Sequence, residues 1–492
     1  MNRPIRRVAI AVGVLMAALL LNLNFVQVVK SDAYRNNKNN KRVILNEYAN
    51  PRGNISVQGG TIIAQSVPTK DELKYLRKYP NGPVYADLTG WYSLIYDKNG
   101  IEDVEDGLLS GNDSRLLGSR ITDLLTGRTP KGGNVVLTVN KAAQQAAYSG
   151  LGGRRGAVVA LDPRTGAILA AVSSPSYDPS TLSSHNLDSI QAAYQKLNND
   201  KQQPLLARAF RETYPPGSVM KVIVAAAGLK SGLKPSSVIP GPTVYPLPDG
   251  GTMHNFNGEQ CSGNGKTTTL LDALKISCNT AFAALGINVG QQALQDEANL
   301  FGMDGQDFNM PLSVAGSTIG DIENRSQLGQ TSIGQFNVQM TPLQAAMIAA
   351  AVENDGTLMK PYLVHQEQSP NLSVLKTTEP KELHQVLSPD LDKELQQMME
   401  SVVTSGTGTK AQIPGVTVGG KTGTADNSDA NGKPLQPHAW FTGYAADPAH
   451  PIAVAVILEN AGVNGDESAG GEAAAPLARD VMKAYLNDMN AR

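Results

Sequence analysis

The sequence predicts an α+β protein. Its main domain should have a largely antiparallel sheet with helices, preceded by a smaller mixed domain and one N-terminal transmembrane helix. Three observations predict this arrangement. An uncharged apolar stretch runs from Val8 to Val29, and the composition changes near residue 150. Beyond that point a β-hairpin, several helices, three consecutive strands and a terminal helix follow in order, which favours an antiparallel sheet.

Composition excludes several classes of function. The chain has 492 residues, more than one domain normally holds. Hydrophobic residues make up 41% and charged residues 17%, as in folded rather than disordered proteins. The net charge is -2 and no basic run occurs, so nucleic acid is not an expected partner. The six histidines lack metal-ligand spacing, so we expect neither a metal site nor another cofactor.

The N-terminus predicts the location of the protein. Arg3, Arg6 and Arg7 precede the uncharged stretch, which as a helix would span ~33 Å and cross a bilayer. Since no small-residue cleavage site follows it, we expect a single-pass signal anchor over residues 8–29 rather than a cleaved signal peptide. Residues 1–7 would then stay in the cytoplasm, and the rest of the chain would lie outside the plasma (inner) membrane.

Residues 30–150 are predicted to form a non-catalytic pedestal or dimerisation-type domain. A polar stalk, Ser31–Arg42, leads into it. "NISVQGGTIIAQS" alternates around Gly59-Gly60 and predicts a hairpin, "GNVVLTVN" predicts a further strand, and "SRLLGSRITDLLTG" has helical spacing. Because no set of residues with catalytic chemistry occurs here, we expect this domain to support or dock the catalytic one.

Residues 151–492 are predicted to form the catalytic domain. "RGAVVALDPRTGAILAAVSS" predicts a hairpin that turns on "DPRTG". In "MTPLQAAMIAAAVENDG", Thr341 is the expected N-cap, Pro342 the first helical residue, Gln344 the capping-box partner and Gly356 the stop. "GVTVGGKTGTA", "HAWFTGYAAD" and "PIAVAVILEN" predict three strands, and a helix closes the chain.

Three short motifs occur in an informative order and setting. Ser218-Val-Met-Lys221 begins an apolar helix, Ser277-Cys-Asn279 ends a helical pattern, and Lys421-Thr-Gly-Thr424 lies on a predicted strand. Each motif alone is weak, because Ser231-Gly-Leu-Lys234 and Ser373-Val-Leu-Lys376 repeat the first one without its setting. Together the three motifs predict a serine nucleophile with a lysine as its base.

The spacing of the first motif gives its chemistry. Positions i and i+3 of a helix face the same way, so Ser218 Oγ and Lys221 Nζ can meet. No histidine belongs to the set, and lysine can act as the base if it is neutral. Burial or a second cation lowers the pKa of a lysine from its usual ~10.4, and Lys421 can provide that cation. The alternative is a solvated lysine beside a serine that only caps the helix.

These motifs resemble those of the penicillin-binding proteins and serine β-lactamases. "ALDPRTGAILAAVSSPSYDP", "YPPGSVMK", "TPLQAA", "GGKTGTA" and "HAWFTGYA" are similar to class B penicillin-binding proteins over residues 156–489, and "PRGNI" extends the likeness toward the anchor. The nearest type is the compact penicillin-binding protein A. The resemblance implies a penicillin-binding/serine β-lactamase-like transpeptidase fold for residues 151–492.

The resemblance also implies roles for individual residues. Ser218 would be the nucleophile and Lys221 its base, whereas Ser277 would pass the proton to the leaving amine. Asn279 would hold the substrate amide.

A second group of residues would bind the substrate's end. Lys421, Thr422 and Thr424 would receive its terminal carboxylate, and Gly423 would let an extended peptide approach the strand. The backbone N–H groups of Ser218 and Thr424 would form the oxyanion hole.

The function implied is that of a DD-transpeptidase that cross-links peptidoglycan stem peptides ending in D-Ala-D-Ala, in wall synthesis linked to growth, cell shape or division. β-Lactam antibiotics would acylate the same serine. Expected partners are the lipid-linked precursor and a polytopic glycan polymerase within a wall-synthesis complex. Two alternatives stay open: a DD-carboxypeptidase or β-lactamase, in which water resolves the acyl-enzyme, and a non-enzymatic scaffold or lactam sensor.

The only two cysteines, Cys261 and Cys278, lie in the part of the chain predicted to be outside the membrane, where disulfides persist. Both flank the helical pattern before Asn279. We expect a structural disulfide that fixes the second motif, and two buried reduced thiols are the alternative.

Overall fold

The structure is a computed structural model of the chain. It describes residues 3–30, 45, 47–304, 310, 312–428, 433–461 and 470–491. The predicted stalk, Ser31–Arg42, lies outside the described residues.

The described chain alternates short strands with helices. In chain order the strands are β1 (Ile55–Ser56), β2 (Ile62–Pro68), β3 (Tyr75–Lys78), β4 (Asn134–Leu137), β5 (Gly156–Leu161), β6 (Ile168–Ser174), β7 (Val238–Pro240), β8 (Val244–Pro246), β9 (Thr252–His254), β10 (Thr267–Thr269), β11 (Thr357–Met359), β12 (Val364–Gln368), β13 (Val374–Thr377), β14 (Glu382–Gln385), β15 (Thr417–Ser428), β16 (Pro434–Ala446) and β17 (Ile452–Leu458). The helices are α1 (Arg3–Asn24), α2 (Gly82–Thr89), α3 (Ile101–Val104), α4 (Asp106–Leu109), α5 (Leu117–Leu125), α6 (Lys141–Leu151), α7 (Leu187–Asn198), α8 (Arg208–Arg211), α9 (Lys221–Lys230), α10 (Leu270–Lys275), α11 (Asn279–Val289), α12 (Gln291–Leu300), α13 (Arg325–Thr331), α14 (Pro342–Glu353), α15 (Pro389–Ser405) and α16 (Ala475–Asn490).

Helix α1 is the predicted membrane helix. It continues into one π turn, and the stretch Arg3–Val28 has a mean hydropathy of 2.3. Its described side chains are exposed, as expected of a helix that does not pack into the core of the protein. Near its C-terminal end, Asn24 Nδ2 donates to the Leu20 carbonyl at 2.8 Å, which satisfies this polar side chain within the helix. At ~1.5 Å per residue, the helix is long enough to cross a bilayer.

The pedestal is built on a six-stranded sheet in the order β13-β12-β4-β1-β2-β3. β1 and β2 form the predicted hairpin, in which Gly59 and Gly60 have positive φ (82° and 78°). β12 and β13 come from residues 364–377, so the second half of the chain returns to complete this sheet. The division of the chain at residue 150 remains a proposal, because the sheet joins strands from both sides of it.

A buried ion cluster lies beside this sheet. Glu102 is fully buried, and its two carboxylate oxygens accept from Arg52 Nε and Arg77 Nε at 2.6 Å each. Arg77 Nη1 also donates to the Gly53 carbonyl at 2.7 Å, and the Arg52 guanidinium lies 4.5 Å from the centre of the Tyr92 ring. Burial alone would raise the pKa of Glu102, but the two guanidinium groups outweigh it and the pKa is lowered. Arg52 of "PRGNI" is therefore part of the pedestal core.

The catalytic domain is built on a five-stranded sheet in the order β15-β16-β17-β5-β6, in which all neighbours are antiparallel. This confirms the predicted α+β class with an antiparallel sheet. The predicted β5–β6 hairpin is present, and Gly166 at its turn has φ of 79°. The three strands predicted near the end of the chain are β15, β16 and β17.

Helices cover both faces of this sheet. Along β5, Ala157 and Val159 belong to the core that contains α14, whereas Val158 and Ala160 belong to the core that contains α6 and α16. This alternation follows from the two-residue period of a strand. Residues 342–352 of α14 are all buried, so this helix forms the centre of the catalytic domain.

The cap of α14 differs in part from its prediction. Thr341 is the N-cap, and its Oγ1 accepts from the Gln344 N–H at 3.1 Å. The predicted capping box is wrong, because Gln344 Nε2 donates to the Phe301 carbonyl at 2.6 Å. Gln344 is fully buried, so its amide N–H needs a hydrogen-bond acceptor within the core, and the Phe301 carbonyl is that acceptor. Gly356, with φ of 77°, follows the helix end at Glu353.

Helix α15 packs against β15 and carries a buried carboxyl group near its start. Asp392 is fully buried; its Oδ2 accepts from Gln396 Nε2 at 2.9 Å, and no partner for Oδ1 is found in the described chain. Burial, together with the nearby carboxylates of Asp355 and Glu353, raises the pKa of Asp392 to about 8. The folded protein therefore holds this proton at pH values where the unfolded chain, with a pKa of ~3.9, has lost it.

Replacement of Asp392 by Asn should therefore stabilise the protein more as the pH rises. A raised folded pKa means that the parent loses stability between about pH 4 and pH 8, by up to ~1.4 kcal/mol per pH unit. We expect Asp392→Asn to raise the melting temperature relative to the parent at pH 8 and to change it little at pH 4, the lower end of that range. Asp390→Asn, an exposed neighbour on the same helical turn, is the control. Equal effects of Asp392→Asn at both pH values would contradict the raised pKa.

Candidate active site

Ser218 lies in a tight turn at the mouth of α9. Residues 217–220 form one 3-10 turn that leads directly into the helix. Gly217 has φ of 52°, and a Cβ atom there would lie 2.4 Å from the Thr424 carbonyl oxygen, so a side chain does not fit. The Gly217 N–H donates to the Gly334 carbonyl at 3.0 Å. The turn is thus held between β15 and Gly334, a contact that the sequence did not predict.

A buried ion pair supports the prolines before this turn. Glu459 Oε1 accepts from Tyr214 Oη at 2.9 Å and from Arg208 Nε at 2.8 Å. Trp440 Nε1 donates to the Pro215 carbonyl at 3.1 Å. Burial would raise the pKa of Glu459, but Arg208, Tyr214 and a second arginine lower it on balance. The carboxylate therefore stays charged and orders the segment that precedes Ser218.

The three motifs meet at the hydroxyl of Ser277. Ser277 Oγ donates to Ser218 Oγ at 2.9 Å. It also accepts from Lys221 Nζ at 3.1 Å and from Lys421 Nζ at 2.8 Å. The structure thus brings together residues from an N-terminal helical turn, an interhelical loop and a strand, as the motif order predicted.

Lys221 is fully buried, so the alternative of a solvated lysine is wrong. Its Nζ donates to the Ser277 carbonyl and to Asn279 Oδ1, both at 2.6 Å. It also lies 5.7 Å from the centre of the Phe282 ring. Two hydrogen bonds, between Lys221 Nζ and Ser277 Oγ and between Ser277 Oγ and Ser218 Oγ, connect Lys221 to the Ser218 hydroxyl.

The loop between α10 and α11 has a strained geometry at Ser277. This residue has φ of 64°, which is uncommon for a residue other than glycine. It turns the chain so that Asn279 can begin α11, with Cys278 as the N-cap accepting from the Ala281 N–H. The sequence predicted the end of a helix here but not that the next helix begins at Asn279.

Strand β15 brings the third motif to the same point. Lys421 is fully buried, and its Nζ also donates to the Thr422 carbonyl at 2.8 Å. A Cβ atom on Gly423 would lie 3.0 Å from both the Pro216 carbonyl oxygen and Trp440 Cβ. Because Gly423 has no side chain, the turn that contains Pro216 can pack directly against β15.

A cleft of about 210 Å³ opens over these residues. Ser218, Ser277, Thr422 and Thr424 line it, so the predicted nucleophile and part of the predicted carboxylate site face the same space. Thr407 lines it as well, and its hydroxyl is hydrogen-bonded to that of Thr422 at 2.6 Å. Thr407 was missed because its setting, "SGTGTK" after α15, carries no motif of its own.

Cys261 and Cys278 are joined by a disulfide, with their Cα atoms 5.6 Å apart, and both line the cleft. The bridge connects the segment after β9 to the loop that positions Ser277. It closes a loop of 17 residues, which in the chain-entropy model contributes roughly 3 kcal/mol.

The disulfide predicts a specific mass result. We expect the denatured, non-reduced full-length protein to take up no alkyl group from iodoacetamide, and two after reduction. Mass spectrometry of protein produced under oxidising conditions measures this. Two alkyl groups before reduction would contradict the bridge.

The two repeats of the first motif lie elsewhere. Ser231 Oγ donates to the Gly228 carbonyl at 2.7 Å, and the exposed Lys234 pairs with the half-buried Glu394. Lys376 on β13 pairs with Glu367 in the pedestal sheet. The setting of each motif therefore separated the site residues from these repeats.

Two protein-family models match the sequence. The description "Penicillin binding protein transpeptidase domain" matches residues 156–483. The description "Penicillin binding protein A dimerisation domain" matches residues 52–135.

Individual proteins are also similar over nearly the whole chain. The peptidoglycan D,D-transpeptidase PbpA of Mycolicibacterium smegmatis is 44% identical over 99% of this chain and 100% of its own length. The protein of the same name from Mycobacterium tuberculosis is 43% identical over 99% of each chain. A ceftriaxone acyl-enzyme structure of penicillin-binding protein A from M. tuberculosis has a TM-score of 0.86 and 42% identity, covering 90% of this chain and 100% of its own.

Proposed function

This chain belongs to the penicillin-binding protein transpeptidase family, and we propose that Ser218 is the nucleophile of its reaction. The chain is a peptidoglycan D,D-transpeptidase of cell-wall synthesis. The observation that supports Ser218 most strongly is its hydrogen bond to Ser277 Oγ, which also accepts from two buried lysines.

The proposed first step is acylation. Ser218 Oγ forms a bond to the carbonyl carbon of the penultimate D-Ala of a donor stem, and the bond to the terminal D-Ala nitrogen breaks. The hydroxyl proton passes to Lys221, and Ser277 then relays a proton to the leaving amine. For this route the two hydroxyl hydrogens turn, so that Ser218 Oγ donates to Ser277 Oγ and Ser277 Oγ donates to the neutral Lys221 Nζ, across the same distances of 2.9 Å and 3.1 Å.

Lys221 is proposed to be the neutral amine of the two. Both lysines are fully buried and donate to one hydroxyl, and two like charges this close disfavour each other. Lys221 begins α9 and bonds to Asn279 at the start of α11, so two positive helix ends surround it. The neutral amine is therefore favoured at Lys221 in the reactive state, in which its two N–H groups donate to the Ser277 carbonyl and to Asn279 Oδ1 and its lone pair accepts from Ser277 Oγ. Lys421 keeps the charge.

We propose that three residues, Lys421, Thr422 and Thr424, bind the donor's terminal carboxylate. Gly423, which has no side chain, lets the donor peptide come close to the strand. A cation and hydroxyl groups suit a carboxylate. We add Thr407 to this group, because its hydroxyl is bonded to that of Thr422 in the cleft.

The oxyanion hole is proposed to consist of the backbone N–H groups of Ser218 and Thr424. Both residues line the cleft, and the close fit of Gly217 against the Thr424 carbonyl fixes their backbones relative to each other. Asn279 is proposed to hold the substrate amide.

In the second step the nitrogen of an amine from a neighbouring stem bonds to the acyl carbon, the ester bond to Ser218 Oγ breaks, and the proton lost by the amine passes to Ser218 Oγ. Water would take this place in the carboxypeptidase or β-lactamase alternative. A non-enzymatic scaffold or lactam sensor is not supported, since the chain is a transpeptidase with its three motifs assembled.

The surroundings of the enzyme are proposed from the anchor. Arg3, Arg6 and Arg7 before the apolar helix favour a cytoplasmic N-terminus and an extracytoplasmic catalytic domain. We propose a polytopic glycan polymerase of a wall-synthesis complex as the partner, and residues 30–150 as the supporting pedestal.

Adduct mapping tests the proposed nucleophile. After incubation of the full-length protein with penicillin and proteolysis, we expect the adduct on Ser218 and none in the Ser218→Ala protein. Adduct on Ser231, Ser277 or Ser373 would refute the assignment.

A further inference from the structure

Helix α5 is an amphipathic arm that projects from the pedestal. Leu117, Ile121 and Leu125 are 56%, 48% and 83% exposed, and their spacing of four residues puts them on one face of the helix. Leu116, just before the helix, is buried and holds its start. Among the side chains described between 117 and 129, none is buried. The apolar face of α5 is therefore not covered by the described part of the chain.

Three basic residues lie on or shortly after α5 in the sequence. Arg120 lies on α5, and Arg128 and Lys131 follow it, against a single carboxylate at Asp123. Arg128 and Lys131 are exposed. An apolar stripe with basic residues beside it is the pattern of a helix that lies in a lipid headgroup layer.

The root of the arm is close to the point where the chain arrives from the membrane. The Gly132 N–H donates to the Pro51 carbonyl at 3.1 Å, and the Gly53 N–H donates to the Leu109 carbonyl at 2.8 Å. Residues 31–44 can span at most about 50 Å between α1 and the pedestal. The arm therefore starts at the end of the pedestal that is tethered to the bilayer.

We propose that α5 docks in the headgroup layer of the bilayer that α1 spans. Leu117, Ile121 and Leu125 would face the acyl chains, and Arg128 and Lys131 would contact the phosphates of anionic phospholipids. This second attachment would fix the orientation of the pedestal relative to the membrane, because it would hold the pedestal at a point other than its connection to α1.

The size and charge of the arm favour lipid over a second copy of the chain. One face of this helix is about 14 Å long and 10 Å wide, roughly 140 Å², whereas a stable protein interface buries about 800 Å² on each partner. A symmetric contact between two arms would also place their cations near each other. A bilayer supplies both the apolar layer and the negative charge.

The test uses the full-length chain in nanodiscs that hold one copy each. Since both native cysteines are in the disulfide, Ile121→Cys gives a single thiol for the environment-sensitive fluorophore NBD. Val238→Cys, 70% exposed on the catalytic domain, gives the control site. Discs containing phosphatidylglycerol and a doxyl-labelled lipid should quench the label at 121 by about twofold or more and leave the label at 238 unchanged.

Charge reversal provides a second experiment. Arg128→Glu with Lys131→Glu should reduce the quenching at 121, while penicillin acylation shows that the protein is folded. Quenching at 121 no greater than at 238 would overturn the proposal. Protection of the label only in discs with two copies, or only after a second protein is added, would also overturn it, because the arm would then be a protein interface.

Discussion

Replacement of Lys221 by methionine is expected to slow acylation of Ser218 by penicillin by about 10³-fold, since general-base catalysis contributes 10²–10⁴-fold. Methionine keeps the apolar stem but cannot accept a proton. The protein should stay folded with a moderately lower melting temperature, because no charge is left buried but the Ser277 carbonyl and Asn279 Oδ1 each lose a donor. Incorporation of labelled penicillin into the full-length protein measures the rate.

Lys234→Met is the matched control. Lys234 belongs to a second Ser-x-x-Lys sequence, but it is 60% exposed and pairs with Glu394 away from the cleft. We expect its acylation rate to equal that of the parent. A folded Lys221→Met protein with a near-normal rate would show that another group is the base.

Replacement of Glu102 by glutamine is expected to destabilise the protein by roughly 3–5 kcal/mol, because removing one partner of a buried ion pair leaves the other charge uncompensated. Here two guanidinium groups, on Arg52 and Arg77, would lose the Glu102 carboxylate, and both side chains are at most 5% exposed. Arg52 would keep its second ion pair, with Asp106 at 2.5 Å, so Arg77 would lose most. The cluster lies in the pedestal, so the fall should appear in its unfolding transition. Denaturant unfolding of the full-length protein measures it.

Asp480→Asn is the control for this prediction. Asp480 is 58% exposed and pairs with the neighbouring Arg479 on the surface of α16. Surface pairs of this kind contribute little, so its unfolding midpoint should stay near that of the parent. A Glu102→Gln protein as stable as Asp480→Asn would mean that the two arginines are solvated rather than buried.

Local patterns predicted much of this fold. The hairpin at "DPRTG", the three late strands and the Thr341 cap depend on turn chemistry and short-range periodicity, which a sequence displays directly. The motif residues were found because each combined a residue pattern with a helix start, a loop or a strand. Ser218, Ser277 and Lys421 then met within hydrogen-bonding distance.

What the sequence could not predict depends on distant contacts. β12 joins the pedestal sheet by pairing with β4, and β13 joins by pairing with β12. The pairing of strands far apart in the chain cannot be predicted from the residues of either strand alone. Thr407 reaches the site only because α15 packs against β15. Gln344 fitted a capping box but bonds to Phe301, since its burial in the core decided its partner.

The most direct measurement gives the full-length enzyme lipid-linked donor and acceptor stems and separates cross-linked from hydrolysed products. Parent enzyme is predicted to release D-Ala and form cross-linked dimers, whereas Ser218→Ala, which keeps Lys221 and Lys421, forms neither. Cross-linked product from the Ser218→Ala protein would contradict the assignment of the nucleophile. Hydrolysed stems alone from the parent, with acceptor present, would contradict the amine as the group that resolves the acyl-enzyme.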